Sequence, residues 1–188
     1  KQNTIHIRKN CLLLIMVVTL FSNCTNQKKK QTDNNVFRYN EHKNISSLDP
    51  AFAKDNANIW AVNQIFNGLV QMNDSLEVKP CIANSWYISD DHRTYVFNLR
   101  DDVYFHKHKL FGNLETRTVT AEDFVFSFNR IKDNSIASPG RWVMDQVSDI
   151  KTINSKTLKI ELKSPFPAFL GLLTMKYCSV VPHEIVNA

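Results

Sequence analysis

Apolar and polar positions along this chain repeat with two periods, and each change of period marks a change of element. Residues 11–21 (CLLLIMVVTLF) are almost wholly apolar and follow a polar, basic leader. Residues 36–40 (VFRYN) alternate, which predicts a strand. Pro50 disfavours helix at Asp49, so 46–50 reads as a turn. Ile59, Val62, Ile65 and Phe66 recur at helical spacing, predicting a helix over 56–66 with Gly68 at its C-terminal cap. A short strand at 69–72 ends at Asn73-Asp74. Strands at 86–89 and 94–99 pair around a turn at 90–92, and Tyr95, Phe97 and Leu99 share one face. Thr120-Ala121-Glu122-Asp123 has the form of a capping box. Phe124, Phe128 and Ile131 behind it make the apolar stripe of a core-facing helix. A second hairpin joins 152–154 to 157–162 through Asn154-Ser155-Lys156. It points Leu158, Ile160 and Leu162 one way and Lys159 and Glu161 the other. Ser164-Pro165 ends it. A short helix over 166–173, a strand at 179–181 and a helix opened by Pro182 follow. Strands and helices both occur along the chain, which reads as an α/β domain.

Composition narrows the class. Of 188 residues, 43% are hydrophobic and 22% charged, which excludes disorder throughout. Four glycines exclude collagen-like and glycine-loop architectures. The net charge of +5 is carried by Lys1, Arg8, Lys9 and the lysines at 28–30, and the rest is near neutral. A nucleic-acid partner, which needs basic residues clustered on the folded part, is not expected.

The apolar run at 11–21 falls well short of the roughly 20 residues that span a bilayer. Behind its basic leader it reads as the core of a secretory signal; a buried helix is the weaker alternative, because no cap precedes it. Leu20-Phe21-Ser22-Asn23-Cys24 resembles a bacterial lipobox, although Phe21 and Asn23 depart from its commonest form. The expected layout is a signal peptide at 1–23, lipid attachment at Cys24 and a flexible tether at 24–35. Residues 25–35 hold no aliphatic or aromatic residue to bury. The chain is therefore expected to be exported and held at a membrane by its lipid. Cys81 and Cys178 remain for the folded part, and two cysteines so far apart establish no disulfide. His106 and His108 would face the same way in a strand and could share a metal, but no third ligand stands nearby and Lys107 and Lys109 add positive charge. A polar loop is expected there, with no metal and no cofactor.

The order of several segments carries a resemblance. They are Ser47-Leu48-Asp49-Pro50, Ile65-Phe66-Asn67-Gly68-Leu69, Lys79-Pro80-Cys81-Ile82-Ala83-Asn84-Ser85-Trp86, the stretch 95–103 (YVFNLRDDV), the stretch 119–130 (VTAEDFVFSFNR) and Ser164-Pro165-Phe166-Pro167. Together they resemble the peptide/nickel-type extracellular solute-binding proteins of ABC transporters, family 5, over residues 36–188. The chain departs from the family at 106–117 (HKHKLFGNLETR), where a short turn is usual. The resemblance implies a two-lobed periplasmic-binding-protein-like (type II) fold with an extra subdomain, of which only the N-terminal portion is present. Residues 36–67 would start the first lobe, 68–164 would form the extra subdomain, and 165–188 would return to the first lobe. The implied function is a lipid-anchored binder that delivers short peptides or similar small solutes to an ABC permease, without catalysis. By the same resemblance, Asn56 and Asn58 precede or open a helix that approaches the cleft. Arg141 could pair with a carboxylate of the solute, and Trp142 could stack on it. An exported adhesion lipoprotein is the alternative. An exported hydrolase is weaker, because no G-x-S-x-G or H-E-x-x-H occurs.

Overall fold

In Thr94–Leu99 and Thr157–Leu162 every second side chain is apolar, and the chain buries that side of both strands. The structure is a computed structural model and describes Arg38, Asn40 and residues 41–188. The signal segment, Cys24 and the tether lie outside the described residues, as does the strand expected at 36–40 apart from Arg38 and Asn40. In chain order the elements are α1 (Asn56–Ile65), β1 (Val70–Met72), β2 (Val78–Pro80), β3 (Ala83–Ile88), β4 (Thr94–Leu99), α2 (Ala121–Lys132), β5 (Val147–Asn154), β6 (Thr157–Leu162), α3 (Phe169–Leu172) and α4 (His183–Val186). Short 3-10 turns occupy Pro50–Phe52, Lys109–Leu114, Arg141–Met144 and Lys176–Cys178. Residues 41–188 form one compact unit.

Four strands make an antiparallel sheet in the order β3-β4-β6-β5, and β1 pairs with β2 in a separate ribbon. Tyr95 stands opposite Ile160 and Phe97 opposite Leu158, so the two central strands bring their largest apolar side chains together. The outer strands keep to the same face by slipping a residue. A register shift between Val147 and Asp149 lets Val147 and Ile150, three apart, both be buried. A matching shift between Ala83 and Ser85 turns the buried Ala83 and the partly buried Trp86 to the core side. The opposite face carries Asp149, Lys151, Lys159 and Glu161, ion-paired in water and therefore worth little to stability.

Helix α2 lies on β5 and β6. Its start is held as a capping box: Thr120 donates its backbone N–H to Asp123 Oδ2 at 2.9 Å. Phe124, Phe128 and Ile131 are buried in a single cluster with Tyr95, Phe97, Leu158 and Ile160. Phe169, Leu173 and Cys178 belong to the same cluster, so the core runs across residues 164 and 165. The rings of Tyr95 and Phe169 meet edge to face at 5.1 Å. Burying each such side chain stabilises the fold by roughly 1.5–3 kcal/mol.

Three expectations change. Gly68 does not cap α1, because Phe66 ends that helix in an extended conformation. Its glycine is needed for close packing: a Cβ there would stand 3.2 Å from the carbonyl oxygen of Cys178 and 3.4 Å from that of Leu173. The segment 179–181 is extended but forms no strand. The carbonyls of Gly68 and Leu69 accept from Ile82 and Ala83, which leaves Asn67 O to accept from Val180 N–H at 3.0 Å. The helix expected over 166–173 is only Phe169–Leu172, because Pro167 biases Phe166 away from helix.

Gly140 is buried, and a Cβ added there would meet Tyr177 Cγ at 2.3 Å. Gly140→Ala is therefore expected to cost about 1–3 kcal/mol through overpacking, read from the urea midpoint of unfolding. A midpoint equal to that of the parent would show that Tyr177 moves aside freely.

Candidate functional site

The end of α1, the chain after β4 and the C-terminal α4 leave an open groove of about 490 Å³ between them. Leu48, Ile65, Phe66, Phe105, Val181, Pro182, Ile185 and Val186 make it apolar, Lys107 and Arg130 bring positive charge to it, and His106 and His108 add two polar rings. Asp49 anchors one side. Its Oδ1 accepts from Ala51 N–H at 3.0 Å, capping the turn Pro50–Phe52, and also from Arg130 Nη1 at 2.7 Å. Arg130 Nη2 donates to the other oxygen, so the pair is bidentate. The Arg130 side chain is only 14% exposed, and its partner Asp49 outweighs desolvation and raises its pKa. The guanidinium is held as a cation at the groove's edge. His106 Nε2 lies 3.3 Å from the carbonyl of Ile65, and His108 Nδ1 accepts from Leu110 N–H. The His106 contact ties the 106–117 segment to the end of α1, and the His108 bond turns the segment locally.

A second ion-pair node supports the groove from behind. Arg117 Nη1 and Nη2 donate to Asp123 at 2.8 and 2.7 Å, and Nε and Nη2 donate to Glu184 at 2.5 and 2.6 Å. Its guanidinium carbon lies 4.9 Å from the ring centre of Phe105 and 5.5 Å from that of Phe111. One side chain thus joins the 105–117 segment, the start of α2 and α4. Asp123, His183 and Glu184 place metal-ligand atoms within 4.8 Å of one another. Both carboxylates already accept from Arg117, and Asp123 also from Thr120, so the guanidinium occupies the place a cation would take. The hydrogen bond from Arg117 lowers the pKa of Glu184.

None of Asn56, Asn58, Arg141 and Trp142 lines the groove. Asn58 is buried. Its Oδ1 accepts from Ser46 N–H at 3.0 Å, and its Nδ2 donates to Ser46 Oγ at 2.9 Å, fastening the preceding loop to α1. Asn56 is exposed at the first position of α1. Arg141 and the half-exposed Trp142 occupy the turn after α2, and Arg141 borders a smaller hollow of about 240 Å³ with Lys132, Asp145, Ser148 and Lys163. Sequence reasoning missed the Asp49–Arg130 and Arg117–Glu184 pairs. Their partners stand 81 and 67 residues apart, and no local pattern links them. Cys81 and Cys178 are free thiols. Burial pushes Cys178 up to about 12 and raises Cys81 less.

The residues that build this fold match a known family. The profile of bacterial extracellular solute-binding proteins, family 5 Middle, covers residues 77–185, and the chain belongs to that family. It is 29% identical to the probable deoxycholate-binding periplasmic protein YgiS of Escherichia coli over 168 residues, spanning 80% of this chain and 30% of that protein. It is 32% identical to the periplasmic murein peptide-binding protein MppA of Escherichia coli, spanning 68% of this chain and 25% of that one. Among solved structures it is similar to DppA of Helicobacter pylori in complex with the peptide STSA, with a TM-score of 0.67 and 30% identity over 76% of this chain and 30% of that chain. The chain thus spans less than a third of the length of these relatives. The architecture is that of part of a periplasmic binding protein, and these relatives are binding proteins, not enzymes.

Two outcomes follow from this chemistry. Because the folded-state pKa of Glu184 is lowered, its pairing with Arg117 contributes stability above the ordinary glutamate value of 4.5 and loses it as pH falls through the folded value. Glu184→Gln is expected to be less stable than the parent near pH 7, with the difference closing as pH falls below the ordinary glutamate value and through the lower folded one, in paired urea titrations. A constant difference across that range would contradict this assignment. Native protein treated with iodoacetamide at pH 8 is expected to leave Cys178 unmodified and react slowly at Cys81, while both react in urea. Mass spectrometry reads the result, and rapid native labelling of Cys178 would contradict its burial.

Proposed function

We propose that this chain is the N-terminal part of a lipid-anchored solute-binding protein that delivers short peptides or similar small solutes to an ABC importer. The family match over residues 77–185 carries the reading. Relatives whose names specify murein peptide or deoxycholate, and a neighbour bound to a tetrapeptide, support a small solute. Residues 1–23 serve as the export signal, Cys24 takes the lipid and 24–35 tether the folded part. Residues 36–67 and 165–188 belong to the first lobe, and 68–164 form the inserted subdomain. The bond from Val180 N–H to Asn67 O supports that division by bringing the two first-lobe pieces side by side.

The apolar groove is the seat of later first-lobe segments in the complete protein. An apolar hollow of about 490 Å³ is costly to leave in water, and it lies between first-lobe residues such as Leu48, Ile65 and Ile185 and inserted-subdomain residues such as Phe105 and Arg130. Arg141, Trp142 and Asn56, all exposed, remain available for solute contact, whereas Asn58 is spent on its loop. Solute is retained by closure of two lobes.

The test has two arms. A clickable fatty-acid analogue is expected to label the exported protein and not its Cys24→Ser variant; equal labelling would remove the anchor. A defined pool of tri- and tetrapeptides is expected to raise the melting temperature of the complete protein and to bind the 188-residue chain at least about tenfold more weakly by calorimetry, a difference of roughly 1.4 kcal/mol. Equal affinities would place the whole binding site within this chain and overturn the clamp reading.

A further inference from the structure

Ser179 presents a hydroxyl that the fold itself does not satisfy. The residue is 2% exposed, and among the described residues its Oγ is a buried side-chain atom with no hydrogen-bond partner. Burying a hydroxyl without a partner costs on the order of 1–3 kcal/mol, so such atoms are rare and call for a ligand. Ser179 also lines a small cavity, together with Asp49, Arg130, Ser127 and Tyr177. The centre of a water-sized sphere can move there within about 10 Å³, which is the room one water needs and far less than any organic solute needs.

The neighbours define what fits. Ser127 Oγ already accepts from Val181 N–H at 3.0 Å and lies 2.7 Å from the carbonyl of Asp123, to which it donates. Its proton is committed, so it cannot donate to Ser179. Arg130 uses two of its five N–H donors on Asp49, and a carboxylate has more acceptor sites than those two bonds and that from Ala51 consume. A ligand here must therefore both donate and accept within one heavy atom. A cation is opposed by the guanidinium and an anion by the carboxylate.

We propose that residues 49–51, α2 and residues 177–181 enclose one structural water, bonded to the Ser179 hydroxyl and to the Asp49–Arg130 pair. The water adds a hydrogen-bonded link between the turn after Asp49 and the returning chain, which already pack against each other. This inference does not depend on the transport reading, because it concerns only the described fold.

The test is a crystal structure of the 188-residue chain at about 1.5 Å, with unfolding measurements on Ser179→Ala. One ordered peak is expected within hydrogen-bonding distance of Ser179 Oγ and of either Asp49 or Arg130. Ser179→Ala is expected to raise the unfolding equilibrium constant on the order of fivefold, the effect of one lost hydrogen bond. If the hydroxyl is unsatisfied, the same variant is instead neutral or more stable, since removing an orphan relieves its burial. Empty density at this position, or a Ser179→Ala variant at least as stable as the parent, would overturn the proposal.

Discussion

Helix α2 lying across β5 and β6 is the contact on which the other parts depend. Its inner face carries Phe124, Phe128 and Ile131, all buried, and its outer and terminal positions carry Asp123 and Arg130, the two charges that hold the rest. The helix is thus a nucleus for packing and a bracket for ion pairs. Through Asp123 it secures Arg117 and the segment that leads back from β4. Through Arg130 it secures Asp49 and the turn before α1. Remove the apolar seat and neither pair keeps its geometry, because both rely on α2 being fixed in position and rotation.

The two arginines are not surface decoration. Arg117 and Arg130 have side chains 26% and 14% exposed, and each makes bidentate bonds to a carboxylate. Isolated pairs in full solvent contribute little, whereas a partly desolvated bidentate pair is sensitive to loss of either partner. Asp123, almost fully buried, would be left a charge without compensation if Arg117 were removed.

How much of this was legible depended on the range of the signal. The stripe at Phe124, Phe128 and Ile131 and the alternation at Tyr95, Phe97 and Leu99 are contiguous periodic patterns, and the structure bears out both elements. The first half of β5 was missed because its register shift breaks the period-two pattern that marks a strand. Capping is a local property and so suggests a cap at Gly68, whereas the closeness of Gly68 to the carbonyl of Cys178 depends on chain far away. The same limit hid the groove and its arginine pairs. The resemblance placed Asp49 and Arg130 in separate segments, and only the fold brings them together.

The bond between Val180 and Asn67 has a wider consequence. The chain from Gly68 to Ser179 begins and ends at neighbouring points, where Val180 N–H donates to Asn67 O at 3.0 Å. A module whose ends lie side by side can be added to or lost from a host without changing the spacing of the host's own chain, since it presents the same gap as a tight turn. The size and shape of such an excursion are then free to vary while its doorway stays constant. The doorway also couples two backbone strands at one place. The excursion is also pinned away from its doorway, because Arg130 inside it pairs with Asp49 before it and Arg117 with Glu184 after it, so its ends and its body are fixed to the same frame.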